Sequence, residues 1–206
     1  MELTTTSFDD GGVIPERYAL AKADPETRVT FAGNVNPHLE WSDVPKGTRS
    51  FALICHDYDV PSRGDDVNQP DREVPADLPR VDFFHWVLVD LPAEMRSIEE
   101  GEHSEGVVAG GKDDETHVGR HGVNDFTGWF AGDEDMAGEY YGYDGCAPPW
   151  NDSIVHHYVF TLYALDIGSV PVRGAFTGQD VRDAIAGHVL AQASIEGTYT
   201  QNPRLL

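Results

Sequence analysis

The 206 residues suffice for one substantial core, and 36 acidic against 14 basic side chains leave a formal charge of −22. That balance excludes a phosphate-contacting nucleic-acid surface, which needs clustered lysine and arginine. Two cysteines, Cys55 and Cys146, are too few for a disulfide framework or a thiolate zinc site.

No apolar run reaches membrane-spanning length, so stable membrane insertion is not expected. Met1-Glu2-Leu3-Thr4 lacks the basic-then-apolar pattern of an export leader, so a soluble cytoplasmic protein is the expectation. The acidic residues are scattered through every segment rather than gathered in a tail. Self-repulsion of that size weakens a fold in dilute buffer. Molar salt, with a Debye length of about 3 Å, removes most of the penalty. The composition therefore reads as that of a halophile's protein with an acidic, solvated surface.

Residues 1–27 mix turn formers with short apolar pieces, among which Val13-Ile14-Pro15 reads as an edge strand or extended segment. Val29-Thr30-Phe31 is a short strand closed by Gly33. In Asn36-Pro37-His38-Leu39-Glu40-Trp41 the proline pushes Asn36 toward extended geometry, and Leu39 and Trp41 then share a face. The run from Ser50 to Asp57 is too continuously apolar for a surface strand and belongs in the core. It ends in Asp57-Tyr58-Asp59-Val60-Pro61. Two carboxylates two residues apart face the same side if the strand continues. The alternative is a turn that stops the strand at Asp57.

Residues 62–80 form a polar, proline-rich excursion. Val81 to Leu91 is a second core strand, ended by Pro92, with His85 set among aromatic residues as core histidines commonly are. Residues 93–142 read as acidic, glycine-rich loop, with a brief strand at Glu105–Ala109 and isolated anchors at Phe126, Trp129 and Phe130. His117 and His121 fall four apart, but Gly119 and Gly122 oppose a helix that would present both to a metal, so they read as solvated loop.

Tyr143 to Asp152 is turn-forming and stiffened by Pro148-Pro149. Tyr158 to Leu165 alternates like a strand. His156, His157 and Tyr158 thus stand where a rigid loop enters a strand, an arrangement suited to a small-molecule pocket. Of the two thiols Cys146, in that loop, is the better placed to react, although inert packing is the better-supported reading for it, whereas Cys55 reads as a small buried hydrophobe. Thr177 to Asp180 resembles a capping box opening a helix to about Ala193, with Val181, Ile185 and Val189 on one face. Ile195 and Tyr199 suggest a last strand. The sum is a mainly β, two-sheet sandwich in a single domain, 1–206, with one helix near the C-terminus.

Asp57-Tyr58-Asp59-Val60-Pro61, the strand from His85 to Pro92 and the Gly145 to Pro149 loop with His156-His157-Tyr158, in this order and spacing, resemble the phosphatidylethanolamine-binding protein family, in particular its bacterial and archaeal Raf-kinase-inhibitor-like branch. Asn36-Pro37-His38-Leu39-Glu40-Trp41, Asn124-Asp125-Phe126 and Glu196-Gly197-Thr198-Tyr199 fit that branch too. The resemblance implies a large antiparallel sheet packed on a smaller one with peripheral helices. It also implies a small anion pocket for phosphate-like groups, either a phosphate monoester or a phospholipid headgroup. Carried over by motif, the pocket residues are Asp57, Asp59, Pro61, His85, Ala147, Pro148, His156 and Tyr158.

Their chemistry suits the role. Imidazole and phenol groups donate to an oxyanion while neutral. A carboxylate behind an imidazole fixes its proton and favours its charged form. The stiff loop offers the Ala147 N–H at little entropic cost. The resemblance further implies a binding protein rather than an enzyme, no cofactor, a homodimer, and regulation of a partner such as a kinase or peptidase. Tyr58 and Val60 stand where the family commonly has proline and alanine, and the acidic segment from Ala131 to Gly138 is placed to cover the pocket mouth. The residue types also allow a different reading, a metal-dependent hydrolase built on Asp57, His85 and His156.

Overall fold

Phe51, Leu53 and Cys55 point to one side of their strand and Ala52 and Ile54 to the other, yet all five are buried. Side chains covered on both faces require a strand in the middle of a sheet with a layer on each side. The computed structural model, which describes residues 1–206, has this arrangement. In chain order the elements are β1 (Glu2–Thr4), β2 (Ala21–Asp24), β3 (Arg28–Phe31), β4 (Leu39–Ser42), β5 (Ser50–Pro61), β6 (Arg80–Pro92), β7 (Ser97–Ile98) and β8 (Arg120–His121). They continue with α1 (Phe126–Trp129), β9 (His156–Leu165), α2 (Gly178–Ala184) and β10 (Val189–Tyr199).

The main sheet runs β10-β9-β5-β6-β8, with every neighbouring pair antiparallel. On one face lies the three-stranded sheet β1-β4-β7, whose Leu3, Leu39, Trp41 and Ile98 join Phe51, Leu53, Trp86, Leu88 and Phe160 in the larger core. The Trp41 and Phe51 rings meet edge to face at 5.5 Å. The other face is covered by Val170, Val172, Phe176, Val181 of α2 and Ile185 at that helix's end, packed on Ala52, Ile54, Val87 and Val89. The β2–β3 hairpin forms a separate two-stranded sheet. The fold is mainly β, as the sequence predicts.

Several boundaries differ from the expectation. The C-terminal helix stops at Ala184 rather than near Ala193. Gly187 adopts φ +85, a left-handed turn that releases the chain, so Val189 opens the long strand β10 instead of extending the helix face. Its start is as expected: Thr177 Oγ1 accepts the Asp180 N–H and the Asp180 carboxylate accepts the Thr177 N–H at 2.8 Å. Strand β5 does not end at Asp57 but continues to Pro61 through an irregularity between Asp57 and Val60. Glu105–Ala109 forms no strand, since Gly106 turns at φ +94. Val13 joins Thr198 only through an isolated bridge.

Charge is distributed as unevenly as hydrophobicity. Of the 36 acidic residues, only Asp57, Asp144 and Asp152 are buried. Each of the three is engaged by cationic or amide donors at one end of the main sheet.

Candidate ligand pocket

At the end of the sheet where β5, β6 and β9 meet the loop before β9, a cavity of about 170 Å³ opens. Seven of the eight residues named from the sequence line it: Asp57, Pro61, His85, Ala147, Pro148, His156 and Tyr158. Asp59 does not. The irregularity after Asp57 breaks the two-residue period, and the Asp59 carboxylate turns to the other face, where it accepts from His157 Nδ1 at 2.7 Å and from the His157 N–H at 2.9 Å. Tyr58 stacks on that same His157 ring at 5.4 Å.

The segment Ala131–Gly138 contributes nothing to the cavity wall. Gly138 is pressed against the Gly110 backbone, and the Met136 carbonyl is held by the Tyr140 hydroxyl, so the segment folds back on its own neighbourhood. The wall is completed instead by Gly64, Val67 and Asn68 of the 62–80 excursion and by Phe126 and Trp129 of α1.

His156 is buried between two carboxylates. Its Nδ1 donates to Asp57 Oδ2 at 2.7 Å and its Nε2 to Asp152 Oδ2 at 3.0 Å. Carboxylates accept only, so both nitrogens carry protons and the ring is an imidazolium. Burial by itself would lower its pKa, but the two carboxylates outweigh that and push it up to about 9. Asp152 is also held by the Arg80 guanidinium through a fork of 2.6 and 3.0 Å. Burial opposes the ionised form of Asp152, yet His156 and Arg80 keep its carboxyl below the usual range. With both nitrogens committed, His156 has no lone pair for a metal and no N–H for a ligand. This overturns its reading as an anion donor and removes the two-histidine, one-carboxylate hydrolase set.

His85 has the opposite character. Its Nδ1 lies 2.8 Å from the Asp144 carbonyl, which can only accept, so Nδ1 carries the proton. Burial pulls its pKa down, against the raising influence of Asp57. The neutral ring therefore keeps its lone pair on Nε2, an acceptor rather than the expected donor. Tyr158 packs edge to face on His85 at 5.1 Å, and its buried hydroxyl faces the Asp57 carboxylate and the Cys146 thiol without a hydrogen bond of normal geometry to either. Burial first, and then the Asp57 charge, raise its pKa well above the normal value, so it remains an O–H donor.

The loop that carries Ala147 and Pro148 is fixed by a network the sequence reading missed. Asp144 accepts from Lys112 Nζ at 2.6 Å and from the side-chain amides of Asn34 and Asn124 at 2.8 Å each. Asn34 also accepts the Gly145 N–H at 2.8 Å, and the Tyr143 hydroxyl donates to the Tyr18 carbonyl. Lys112 is one of only three lysines, and its scarcity was the one available signal. Cys146 and Cys55 are both buried, and burial raises both thiols far above the reactive range, so Cys146 is packing rather than a nucleophile.

A Cβ on Gly145 would stand 2.0 Å from the Tyr18 carbonyl oxygen and 2.9 Å from the Tyr143 hydroxyl. Gly145→Ala is expected to destabilise the fold by about 3 kcal/mol, seen as a shift of the denaturation midpoint. An unchanged midpoint would show that the loop is not clamped there.

The comparisons with known proteins agree with this architecture. The family model described as phosphatidylethanolamine-binding protein matches residues 4–200. UPF0098 protein YbhB of Escherichia coli is 31% identical over 204 residues, covering 97% of this chain and all of that protein. A UPF0098 protein of Methanothermobacter thermautotrophicus is 33% identical over 199 residues, covering 97% and 98%. The crystal structure of E. coli YbcL, described as a new member of the mammalian PEBP family, superposes with a TM-score of 0.68 at 24% identity and shares the fold over 97% of both chains. This chain belongs to the phosphatidylethanolamine-binding protein family.

Proposed function

We propose that the protein is a binding protein whose pocket takes the phosphate group of a small monoester, a free metabolite or a phospholipid headgroup alike. The observation that carries this reading is the Tyr158 hydroxyl, buried, protonated and without a hydrogen bond of normal geometry, beside the free Nε2 of His85. A buried unpaired hydroxyl costs about 1–3 kcal/mol, and a ligand oxygen accepting from it recovers that energy. Ala147 lines the same cavity and its N–H donates to no backbone carbonyl, which gives a second donor. The apolar wall of Phe83, Phe126, Trp129 and Pro149 suits the organic part of an ester. Behind the donors, the charges of His156, Asp57, Asp152 and Arg80 are mutually paired, so the pocket offers fixed dipoles rather than net charge.

Titration of the protein in molar salt with phosphate and phosphoethanolamine, followed by imidazole ¹⁵N shifts, tests this. Saturable movement of His85 Nε2 is expected. Tyr158→Phe should weaken binding at least tenfold while leaving the fold as stable or slightly more so, because the orphaned hydroxyl is gone. Unchanged affinity in Tyr158→Phe, or no shift at His85, would sink the proposal.

A further inference from the structure

Among the nine histidines, His85 is the one whose ring is hydrogen-bonded to a backbone carbonyl. His156 is committed at both nitrogens, and His117, His157 and His188 each engage a carboxylate. His121, on strand β8 rather than in solvated loop, shares a hydrogen bond with buried His103. A carbonyl fixes the tautomer and orientation of the His85 ring without bringing a charge to it. The proton stays on Nδ1, and the Nε2 lone pair faces a cavity that Ala147 and Tyr158 line with donors for phosphate oxygens. A neutral imidazole with a free lone pair is a nucleophile, and a phosphate group held in this cavity sets an electrophilic phosphorus before it.

The leaving group decides what such an attack can displace. An alkoxide departing from an ordinary monoester takes up a proton as it goes. The pocket has none to give. Both His156 protons are bonded to carboxylates. Burial, and then the Asp57 charge, keep the Tyr158 proton on its oxygen. The His85 Nδ1 proton points away, to the Asp144 carbonyl. Displacement is therefore confined to groups that leave as stable anions, and a carboxylate is such a group. Mixed anhydrides of carboxylic and phosphoric acid carry it.

We propose that His85 Nε2 is a phosphoryl-acceptor site loaded by small acyl phosphates. With phosphorus about 3–3.5 Å away, the Nε2 lone pair forms the N–P bond. The bond from phosphorus to the acyl oxygen breaks, the carboxylate leaves with the bonding pair, and no proton moves. The product is an N-phosphorylated imidazolium that keeps its Nδ1–H on the Asp144 carbonyl. Burial disfavours that ring charge, and the nearby Asp57 carboxylate favours it. The cavity of about 170 Å³ holds a short acyl group against Phe83, Phe126 and Pro149. The inference rests on the phosphate reading of the pocket: monoesters bind and stay intact, whereas acyl phosphates bind and react.

The test incubates full-length protein in molar salt with acetyl phosphate and follows intact mass and ³¹P NMR. One phosphoryl group per chain is expected, stable in base and lost in acid as phosphoramidates are, and peptide fragmentation should place it on His85. Labelling of His85 should outpace that of the solvent-accessible His117 and His188 about tenfold, and inorganic phosphate should suppress it at His85 alone. His85→Gln should retain only the slow label of the accessible rings. If that variant folds poorly, the site map on the wild-type chain decides. Label confined to accessible histidines, or no label at all, overturns the proposal. A parallel phosphate titration separates the two readings. Movement of His85 Nε2 without labelling removes the acceptor role alone, and silence in both experiments removes the phosphate pocket with it.

Discussion

Raising the pH from 6.5 to 9.5 should remove roughly 3 kcal/mol of unfolding free energy, and His156→Gln should abolish most of that dependence. The folded-state pKa of His156 is raised to about 9, against an unfolded value near 6.5. Between those values the native protein holds a proton that the unfolded chain releases, so stability falls as pH rises. The contribution is fully present below about 6.5 and gone once pH has passed through about 9. The source is structural: both N–H groups point at buried carboxylates, and loss of either proton leaves a carboxylate facing a lone pair. His156→Gln leaves Asp57 and Asp152 without a cation between them, so its cost at pH 6.5 is about 3–5 kcal/mol, the range for breaking a buried pair. Denaturant midpoints in molar salt across this pH range measure both effects. A flat profile in the wild type would mean that His156 is neutral and bonded to only one carboxylate.

Phosphomonoester affinity should fall about tenfold per pH unit between pH 7 and 9, with close to one proton taken up on binding. The reason lies on the far side of the His85 ring. Because Nδ1 donates to the Asp144 carbonyl, Nε2 meets the ligand as a lone pair. A fully ionised phosphate has only acceptors to set against it. Either the ligand enters with its last P–O–H intact, donating to Nε2, or His85 gains a proton as the dianion arrives. Above a phosphate pKa near 6 both routes draw one proton from solvent. Calorimetry at pH 8 in buffers of different ionisation enthalpy gives the proton number directly. Sulfate, which has no proton to offer at this pH, separates the two routes: it should bind at least tenfold more weakly than phosphate if the ligand brings the proton, and comparably if His85 gains it. Proton uptake near zero would refute this account of His85.

Much of this site could be read along the chain, because its parts sit in short local patterns. Asp57, His85, His156 and Tyr158 each end or punctuate a recognisable core strand, and adjacent antiparallel strands bring those ends together. The roles of the histidines could not be read, since which nitrogen donates depends on the atom facing it across the fold. Asp144 and its partners illustrate the same limit. Asn34 lies 110 positions away, Lys112 32 and Asn124 20, and no periodicity links them. Asp59 came to the pocket with the motif that the resemblance carried over, and the period of two that would set it beside Asp57 holds only while the strand is regular. The overlong helix arose in a similar way: Val189 falls on the four-residue spacing of Val181 and Ile185, and only the backbone turn at Gly187 reveals that the chain has already left the helix.

The placement of charge bears on how the pocket fills. Thirty-three of the 36 acidic residues lie outside the core, so an anion such as the proposed phosphate ester approaches through a repulsive field before it meets any donor. At 0.1 M salt that field reaches about 10 Å from the surface, and at 1 M about 3 Å. Encounter is therefore slow in dilute buffer and quickens as salt is added, the reverse of the steering seen when protein and ligand attract. Once inside, the ligand faces a network in which His156 and Arg80 balance Asp57 and Asp152, sealed from the ions that altered its approach. Salt thus sets how often the pocket is reached, while the buried hydrogen bonds set how long its occupant stays.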